Sequence, residues 1–168
     1  SLRTEMICSD LPIPYTLKKK KLGMSDQELL AIKVPPHSVE AEQSVLGGLL
    51  LDNTAWDRVA DFMSESDLYR PDHKVIYQHI TRLIGTNKPA DAITVAESLE
   101  NTKELEQVGG LSYLGALAQN TPSVANIRRY AEIVRERSIL RKLADTAAGI
   151  SDTAYNPMGQ EAAQLLDE

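Results

Sequence analysis

The pattern of apolar and polar positions turns helical at Ser38 and remains so along the rest of the chain. Two prolines, Pro35 and Pro36, precede it, and Ser38 is the candidate N-cap. The first apolar stripe has the spacing i, i+4, i+5, i+8, i+9, which is typical of a helix packed into a core. Its members are Ala41, Val45, Leu46, Leu49 and Leu50. Gly47-Gly48 in mid-helix costs on the order of 1 kcal/mol per glycine relative to alanine. The pair therefore predicts a close crossing by another helix.

Four further helical patterns are separated by turn residues. Thr54 is the candidate cap of the second helix, and Pro71 suits the first position of the third. Asp91 caps the fourth, and the fifth begins at Leu111. The apolar positions are Trp56, Val59, Ala60, Phe62 and Met63 in the second helix; Val75, Ile76, Ile80, Leu83 and Ile84 in the third; Ile93, Val95, Ala96 and Leu99 in the fourth; and Tyr113, Leu114, Leu117 and Ala118 in the fifth. Residues 34–123 are therefore predicted to form one helical globule.

The last segment differs because its helical pattern runs for about 30 residues after Ser123, the candidate cap. Its apolar face changes along the way. Ile127, Ala131 and Val134 form one stripe, and Ile133, Leu140, Leu143, Ala147, Ile150 and Ala154 form another with heptad-like spacing. The first half is expected to close the globule and the second half to project from it. A tight turn at residues 156–159 then leads into a second helix of about two turns, from Gln160 to Glu168. Residues 124–168 thus predict a long helix and the start of a helical hairpin, with its second helix truncated.

The composition agrees with an all-α class. The chain has 168 residues, of which 42% are apolar and 25% charged, and only eight are aromatic. Its single cysteine, Cys8, excludes a disulfide framework and indicates a reducing, cytoplasmic setting. No apolar run reaches the roughly 18 residues needed to span a bilayer, so no membrane partner is expected. The net charge of −6 argues against a surface that wraps nucleic acid.

Residues 1–33 are interpreted as a flexible tail. They contain a Lys18-Lys19-Lys20-Lys21 run and no sustained helical stripe. A solvated, disordered run is the simpler interpretation of the lysines, and contact with nucleic acid is the alternative. Met24-Ser25-Asp26 has the character of a natural start, so residues 1–23 are interpreted as an upstream or non-native extension.

No catalytic set emerges from the sequence. Gly110 and Gly115 have the glycine spacing of a phosphate-binding loop, but the following residues are Ala116-Leu117 where that motif requires lysine and then serine or threonine. His73 and His79 are six residues apart and lack a third metal ligand at a suitable spacing. Glu40 and Glu42 are explained most simply by the preference of a helix N-terminus for negative charge. We therefore expect no enzyme active site, cofactor or metal in this chain.

The basic residues from Arg128 to Lys142 are interleaved with Glu132 and Glu136 and are followed by Asp145. A solvated helix face with i, i+4 ion pairs is the simplest account of them. Binding of a protein partner is the next alternative, and direct binding of DNA is the least favoured because the whole chain is acidic.

Several segments together resemble the bacterial replicative DNA helicases of the DnaB type. The resemblance begins with the run Val34-Pro35-Pro36-His37-Ser38-Val39-Glu40-Ala41-Glu42-Gln43-Ser44-Val45-Leu46-Gly47-Gly48. Further matches follow in order at Asp67-Leu68-Tyr69, Thr94–Leu99, Val108-Gly109-Gly110, Tyr113-Leu114, Asn120–Asn126 and Tyr130–Arg137. The set covers about Lys33 to Glu168, and its order makes a chance match very improbable.

The resemblance implies an N-terminal domain made of a small helical globule and a hairpin. In that family hairpins pair between subunits and the domains form a collar on a hexameric ring. It implies as partners a second copy of the chain, a DnaG-type primase and a helicase loader. It also implies that ATP and Mg²⁺ belong to a C-terminal motor domain absent here, which would contact most of the DNA.

From the hairpin pattern and this resemblance we predict an interface for subunits or primase at Tyr113, Leu140, Leu143, Ala147 and Ile150. The alternative function is a stand-alone helical nucleic-acid-binding domain that uses the lysine run and the basic face of the long helix. That alternative predicts salt-sensitive binding to short DNA.

Overall fold

The computed structural model describes residues 34–157 and Leu166, and this part of the chain is helical without a β-strand. The all-α prediction is confirmed. The α-helices are α1 (Val39–Leu51), α2 (Pro71–Gly85), α3 (Ala92–Asn101), α4 (Gly110–Gln119) and α5 (Ile127–Tyr155). Three short 3₁₀ helices lie between them, at Asn53–Arg58, Glu65–Asp67 and Val124–Asn126.

Helix α1 is the centre of the fold. It begins where the Ser38 side chain accepts a hydrogen bond from the Ala41 N–H at 3.2 Å, as an N-cap does. The whole predicted stripe from Ala41 to Leu50 is buried. Because α1 contacts α2, α4 and α5, its apolar face supplies the middle of the core.

The glycine pair in α1 marks a close crossing, as predicted. A Cβ atom at Gly47 would lie 1.9 Å from Thr121 Oγ1 and 2.1 Å from the Leu117 carbonyl oxygen at the end of α4. A Cβ at Gly48 would lie 3.0 Å from Ile127 Cδ1 at the start of α5. The two glycines therefore admit two different helices on adjacent sides of α1.

The predicted starts of α2 and α3 are confirmed. Pro71 is the first residue of α2, where its missing N–H costs no hydrogen bond. The Asp91 side chain accepts hydrogen bonds from the N–H groups of Ile93 and Thr94 at the start of α3. Ile93 itself, predicted on the apolar face, is 72% exposed, because Val95, Ala96 and Leu99 turn the other side of α3 inward.

The predicted second helix is wrong. Residues after Asp52 form the 3₁₀ helix Asn53–Arg58 and then irregular turns, and the cap is Asp52, which accepts from the N–H and hydroxyl of Thr54. Tryptophan, aspartate, valine and phenylalanine have modest helix propensity, so core packing decides the backbone here. Ala55 is buried within the 3₁₀ helix, and Val59 and Met63 are buried in the irregular segment after it.

Helix α5 also starts later than predicted. The Ser123 side chain makes no capping hydrogen bond. The 3₁₀ helix Val124–Asn126 separates Ser123 from Ile127, the first residue of α5. The first half of α5 packs on α1 and buries Ile127, Ala131 and Val134, as predicted. From Lys142 to Tyr155 every residue is exposed. Helix α5 therefore continues beyond the core it helps to form.

Two predicted segments lie outside the described residues. One is the tail over residues 1–33. The other is the second hairpin helix over residues 160–168, of which only Leu166 is described, as an exposed turn residue. The division of the chain at residues 123 and 124 stays a prediction.

Candidate protein-interaction surface

The exposed half of α5 carries an apolar row. Leu140, Leu143 and Ile150 are 41%, 64% and 67% exposed, and Ala147 is exposed as well. At about 100° per residue these four positions fall within roughly 80° of one another around the helix. We call Leu140, Leu143, Ala147 and Ile150 the α5 stripe. Large apolar side chains aligned on a solvent-exposed helix face are typical of a surface that binds another protein.

The predicted change of face along α5 is present in the structure. The buried row ends at Val134 and Ser138, and the α5 stripe begins at Leu140 on another side of the helix. Ile133 is half-buried between the two rows. One continuous helix thus has one face in the core and another in solvent.

One of the i, i+4 ion pairs that the sequence predicted on α5 forms, between Arg128 and Glu132, whereas Arg135, Arg141 and Lys142 contact Asp67 instead. Arg128 lies 3.6 Å from Glu132, and Arg129 lies 3.1 Å from Glu132 and 3.8 Å from Glu136. All these side chains are well exposed, so each pair stabilises the fold by about 0–1 kcal/mol. The charged face at the start of α5 is therefore solvated, and its ion pairs reduce the positive charge available to a nucleic acid.

The place where α5 leaves the core is organised by Asp67. This carboxylate is 2% exposed and accepts hydrogen bonds from the Ser64 N–H at 2.8 Å and from the Ser138 hydroxyl of α5 at 2.8 Å. Burial by itself raises the pKa of the Asp67 carboxyl. The hydrogen bonds from Ser64 and Ser138 and the charge of Lys142 outweigh it and hold the pKa below its ordinary value. Asp67 is therefore charged at neutral pH.

Arg141 makes a second connection at the same place. Its guanidinium donates to the Pro36 carbonyl oxygen at 2.7 Å and to the Asp67 carbonyl oxygen at 2.6 Å. The guanidinium also lies 5.4 Å from the centre of the Tyr69 ring. Helix α5 is thus bound to the segment before α1 and to the turn before α2.

Tyr113 lies in a different environment from the α5 stripe. Its hydroxyl oxygen is 2.8 Å from His73 Nε2 and accepts from Gln43 Nε2 at 3.2 Å. The Arg70 guanidinium lies 5.8 Å from the centre of its ring. The predicted interface residues therefore form two groups, the α5 stripe on one helix and Tyr113 within a polar network of the globule.

Glu42 corrects the simple interpretation of the two glutamates. It is buried, and its Oε2 is 2.6 Å from His73 Nδ1. Its carboxylate also accepts from the backbone N–H groups of Tyr69 and Arg70. Glu40 is exposed and fits the predicted role of charge at a helix start. Glu42, in contrast, joins α1 to α2 as a buried carboxyl with hydrogen-bond partners on both of its oxygens.

An open cavity of about 320 Å³ lies beside Tyr113. Its lining is Glu40, Gln43, Ser44, Tyr113, Ala116, Leu117, Asn120 and Pro122.

Gly110 and Gly115, which share the glycine spacing of a phosphate loop, both lie inside helix α4.

His79 also lies within hydrogen-bond distance of neighbours in the globule. Its ring nitrogens are 2.8 Å from Ser98 Oγ and 3.1 Å from Glu104 Oε2. Within residues 34–157 and Leu166, no group of three or more histidine, cysteine, aspartate or glutamate side chains could hold a metal ion. In the same residues, no helix is long and apolar enough to cross a membrane.

Sequence reasoning missed Asp67, Glu42 and His73. A local signal existed for Asp67, because Ser64-Glu65-Ser66-Asp67 has the spacing of a capping box, and that box forms in the structure. Glu42 and His73 are 31 residues apart and share no local pattern. Only the packing of α1 against α2 brings them together.

Comparison with known proteins agrees with this architecture. Residues 34–136 match the model of the DnaB-like helicase N-terminal domain. The chain is 42% identical over 151 residues to the replicative DNA helicase DnaB of Buchnera aphidicola subsp. Baizongia pistaciae, covering 90% of this chain and 32% of that protein. It is 40% identical over 141 residues to the Geobacillus stearothermophilus replicative DNA helicase DnaB, covering 84% of this chain and 31% of that one. The chain thus spans about a third of the length of the curated relatives it matches.

Solved structures give the same result. The crystal structure of the N-terminal domain of DnaB helicase from Mycobacterium tuberculosis is similar with a TM-score of 0.76 and 38% identity, covering 80% of this chain and 94% of that chain. A DnaB-like replicative helicase, solved in a study of its interactions with primase, is similar with a TM-score of 0.62 and 25% identity, covering 77% of this chain and 31% of that one. The chain therefore belongs to the DnaB family of replicative DNA helicases and corresponds to the N-terminal domain of that family.

Proposed function

We propose that this domain is a non-catalytic assembly and docking module of a hexameric replicative DNA helicase. It pairs with a second subunit to build the ring collar, and it binds a DnaG-type primase during DNA replication in the cytoplasm. The observation that carries the proposal is the α5 stripe, an apolar row on a helix whose other face is already buried. One similar structure is that of a helicase studied with primase, which supports the choice of partner.

The free energy gained by burying the α5 stripe is too small to hold two proteins together without further contacts. Full burial of a leucine or isoleucine side chain stabilises by about 1.5–3 kcal/mol, so Leu140, Leu143 and Ile150 together contribute on the order of 5 kcal/mol, since each is partly covered already. Association of two proteins costs about 4–15 kcal/mol in lost freedom. We therefore expect a second hairpin helix, after residue 157, to add apolar surface to the same interface.

The catalytic work is assigned to the rest of the parent protein. Its relatives are about three times as long as this chain, and the proposed parent binds ATP and Mg²⁺ and contacts most of the DNA in a C-terminal motor domain. A helicase loader is a further proposed partner. The α5 side chains described above form a docking surface and supply no group for nucleotide hydrolysis.

Titration of the primase docking domain tests the partner. The measurement is calorimetric binding to the domain extended past Glu168, compared with its Ile150→Ala and Tyr113→Ala variants. Loss of affinity on Ile150→Ala assigns primase to the α5 stripe, and loss on Tyr113→Ala assigns it to the cavity beside α4. Equal affinity in the wild type and both variants removes both positions from the primase site. A wild type that does not bind primase rejects the docking role.

A further inference from the structure

The last buried residue of α5 is Ser138, which lies against the 3₁₀ helix Glu65–Asp67. Ser138 is 1% exposed, and every residue from Lys142 to Tyr155 is exposed. Those 14 residues extend about 21 Å at 1.5 Å per residue. The direction of this whole exposed half is therefore decided by the contacts made just before it.

Asp67 receives most of those contacts. The Ser138 hydroxyl donates to its carboxylate, while Arg135 and Lys142, one turn to either side of Ser138, lie 3.7 and 3.8 Å from it. Arg141 donates to its backbone carbonyl. Four residues of one helix thus converge on one residue of a three-residue 3₁₀ helix.

A role in capping that short helix does not account for this convergence. The Ser64 N–H already supplies the local capping bond on Oδ2. Ser138 binds the other oxygen, Oδ1, which has no role in the cap. Burial of a carboxylate is costly without such partners, so the α5 side chains stabilise a charge that the local turn alone would leave half-satisfied.

Geometry makes this contact consequential for the far end of α5. An α-helix bends only gently along its length, so its exposed half moves as a unit. A change of 10° at Asp67 would move the end of an arm of about 21 Å by roughly 4 Å. Interfaces packed as closely as protein interiors do not tolerate a displacement of that size.

We propose that Asp67 is a positioning residue: through Ser138, it fixes the direction of the exposed half of α5 and so presents the α5 stripe to its partner. The consequence for partner binding rests on the proposed function, whereas the fixed direction is a property of this chain alone. Arg141 and its contact with Tyr69 support the same direction from the neighbouring side of α5.

The test measures the distance between α5 and the globule by electron–electron double resonance. Spin labels are attached at Asp152→Cys on α5 and Glu100→Cys on α3, both exposed positions, in a Cys8→Ser background of the 168-residue chain. Ser138→Ala removes the bond from α5 to Asp67. Ser64→Ala is the matched control, because it removes a serine hydroxyl that also bonds Asp67 but belongs to the local turn.

The proposal predicts that Ser138→Ala widens the distance distribution at least about twofold, while Ser64→Ala leaves it unchanged and circular dichroism shows equal helix content in both. Equal distributions in the wild type and Ser138→Ala would overturn the proposal. If Ser138→Ala does not fold, Lys142→Gln and Arg135→Gln, both at exposed positions, provide the same comparison. The measurement is made without a partner. A narrow wild-type distribution that widens in Ser138→Ala therefore supports the fixed direction of α5 even if the chain fails to bind primase.

Discussion

Gly47 and Gly115 show how the same residue type can serve opposite needs. Both lie inside helices, yet a Cβ at Gly47 would meet backbone atoms of α4, and a Cβ at Gly115 would meet nothing within 4 Å. The sequence predicted the close crossing at Gly47 because an adjacent pair of glycines in a strong helix pattern requires a packing reason. A single glycine such as Gly115 carries no such signal.

Alanine at these two positions should therefore change stability in opposite directions. Gly47→Ala should lower the free energy of unfolding by about 3 kcal/mol or more, because the Leu117 carbonyl cannot move without distorting α4. Gly115→Ala should raise it by about 0.5–1 kcal/mol through helix propensity. Urea unfolding measures both. A mild effect at Gly47 would contradict the close crossing.

The two glutamates at the start of α1 give a second matched pair. Glu42→Gln should destabilise the fold by about 2–4 kcal/mol, since the single oxygen of an amide cannot replace both carboxyl oxygens toward His73, Tyr69 and Arg70. Glu40→Gln should cost less than about 1 kcal/mol, the usual effect of one charge near a helix terminus. Thermal unfolding at pH 7 checks the difference, and similar melting temperatures for the two variants would refute the buried role of Glu42.

Asp67 predicts a dependence of stability on pH. The pKa of its carboxyl is lower in the folded state than the ordinary value of 3.8, so the unfolded state binds the proton more readily. Its contribution is fully present above the unfolded-state pKa and is lost as the pH falls through the folded-state pKa. Asp67→Asn should be less stable at pH 7 and should lose less stability on acidification.

The charged and titratable groups that face Asp67 are the same in the wild type and in Asp67→Asn. They are Arg135, Lys142, Glu65 and Tyr77, the last with a pKa raised to about 12 by burial and by the charges of Asp67 and Glu65. Glu65 is present in both proteins, so its contribution largely cancels in the comparison. Free energies of unfolding between pH 7 and pH 2.5 that decline in parallel for both proteins would contradict the prediction.

Among the elements, helices with strong local signals were predicted well. Ser38, Pro71 and Asp91 marked true starts because capping is a local interaction. The second predicted helix is wrong because Asp52, two residues before the predicted cap Thr54, caps a 3₁₀ helix, and the core holds Val59 and Met63 in irregular turns. Tertiary packing overrode a weak helical preference there.

The two halves of α5 should differ in dynamics even though both are helical. Amide hydrogens at residues 143–155 should exchange at least about tenfold faster than those at residues 131–138, because local opening of an exposed helix breaks no core contacts. Hydrogen exchange of the 168-residue chain measures this by peptide. Uniform protection along α5 would show that the outer half is held by contacts beyond those described.

At the scale of the whole molecule, sequence reasoning located the α5 stripe because heptad-like spacing is visible without a structure. It grouped Tyr113 with the stripe, whereas the hydrogen bonds and ring contacts of Tyr113 are made to Gln43, His73 and Arg70. The contact between Asp67 and Ser138 of α5 joins residues that are 71 positions apart in the sequence. Contacts of that separation are fixed only by the assembled core.

Ala147 and Ala148 provide the sharpest test of subunit pairing through the α5 stripe. They are adjacent and both exposed, but only Ala147 belongs to the stripe, since the next residue points about 100° away around the helix. Sedimentation velocity should compare the wild type, Ala147→Asp and Ala148→Asp in the domain extended past residue 168 through the second hairpin helix. We predict that the wild type and Ala148→Asp sediment as dimers and Ala147→Asp as a monomer. A wild type that stays monomeric at high concentration, or two variants that sediment alike, would contradict pairing through α5.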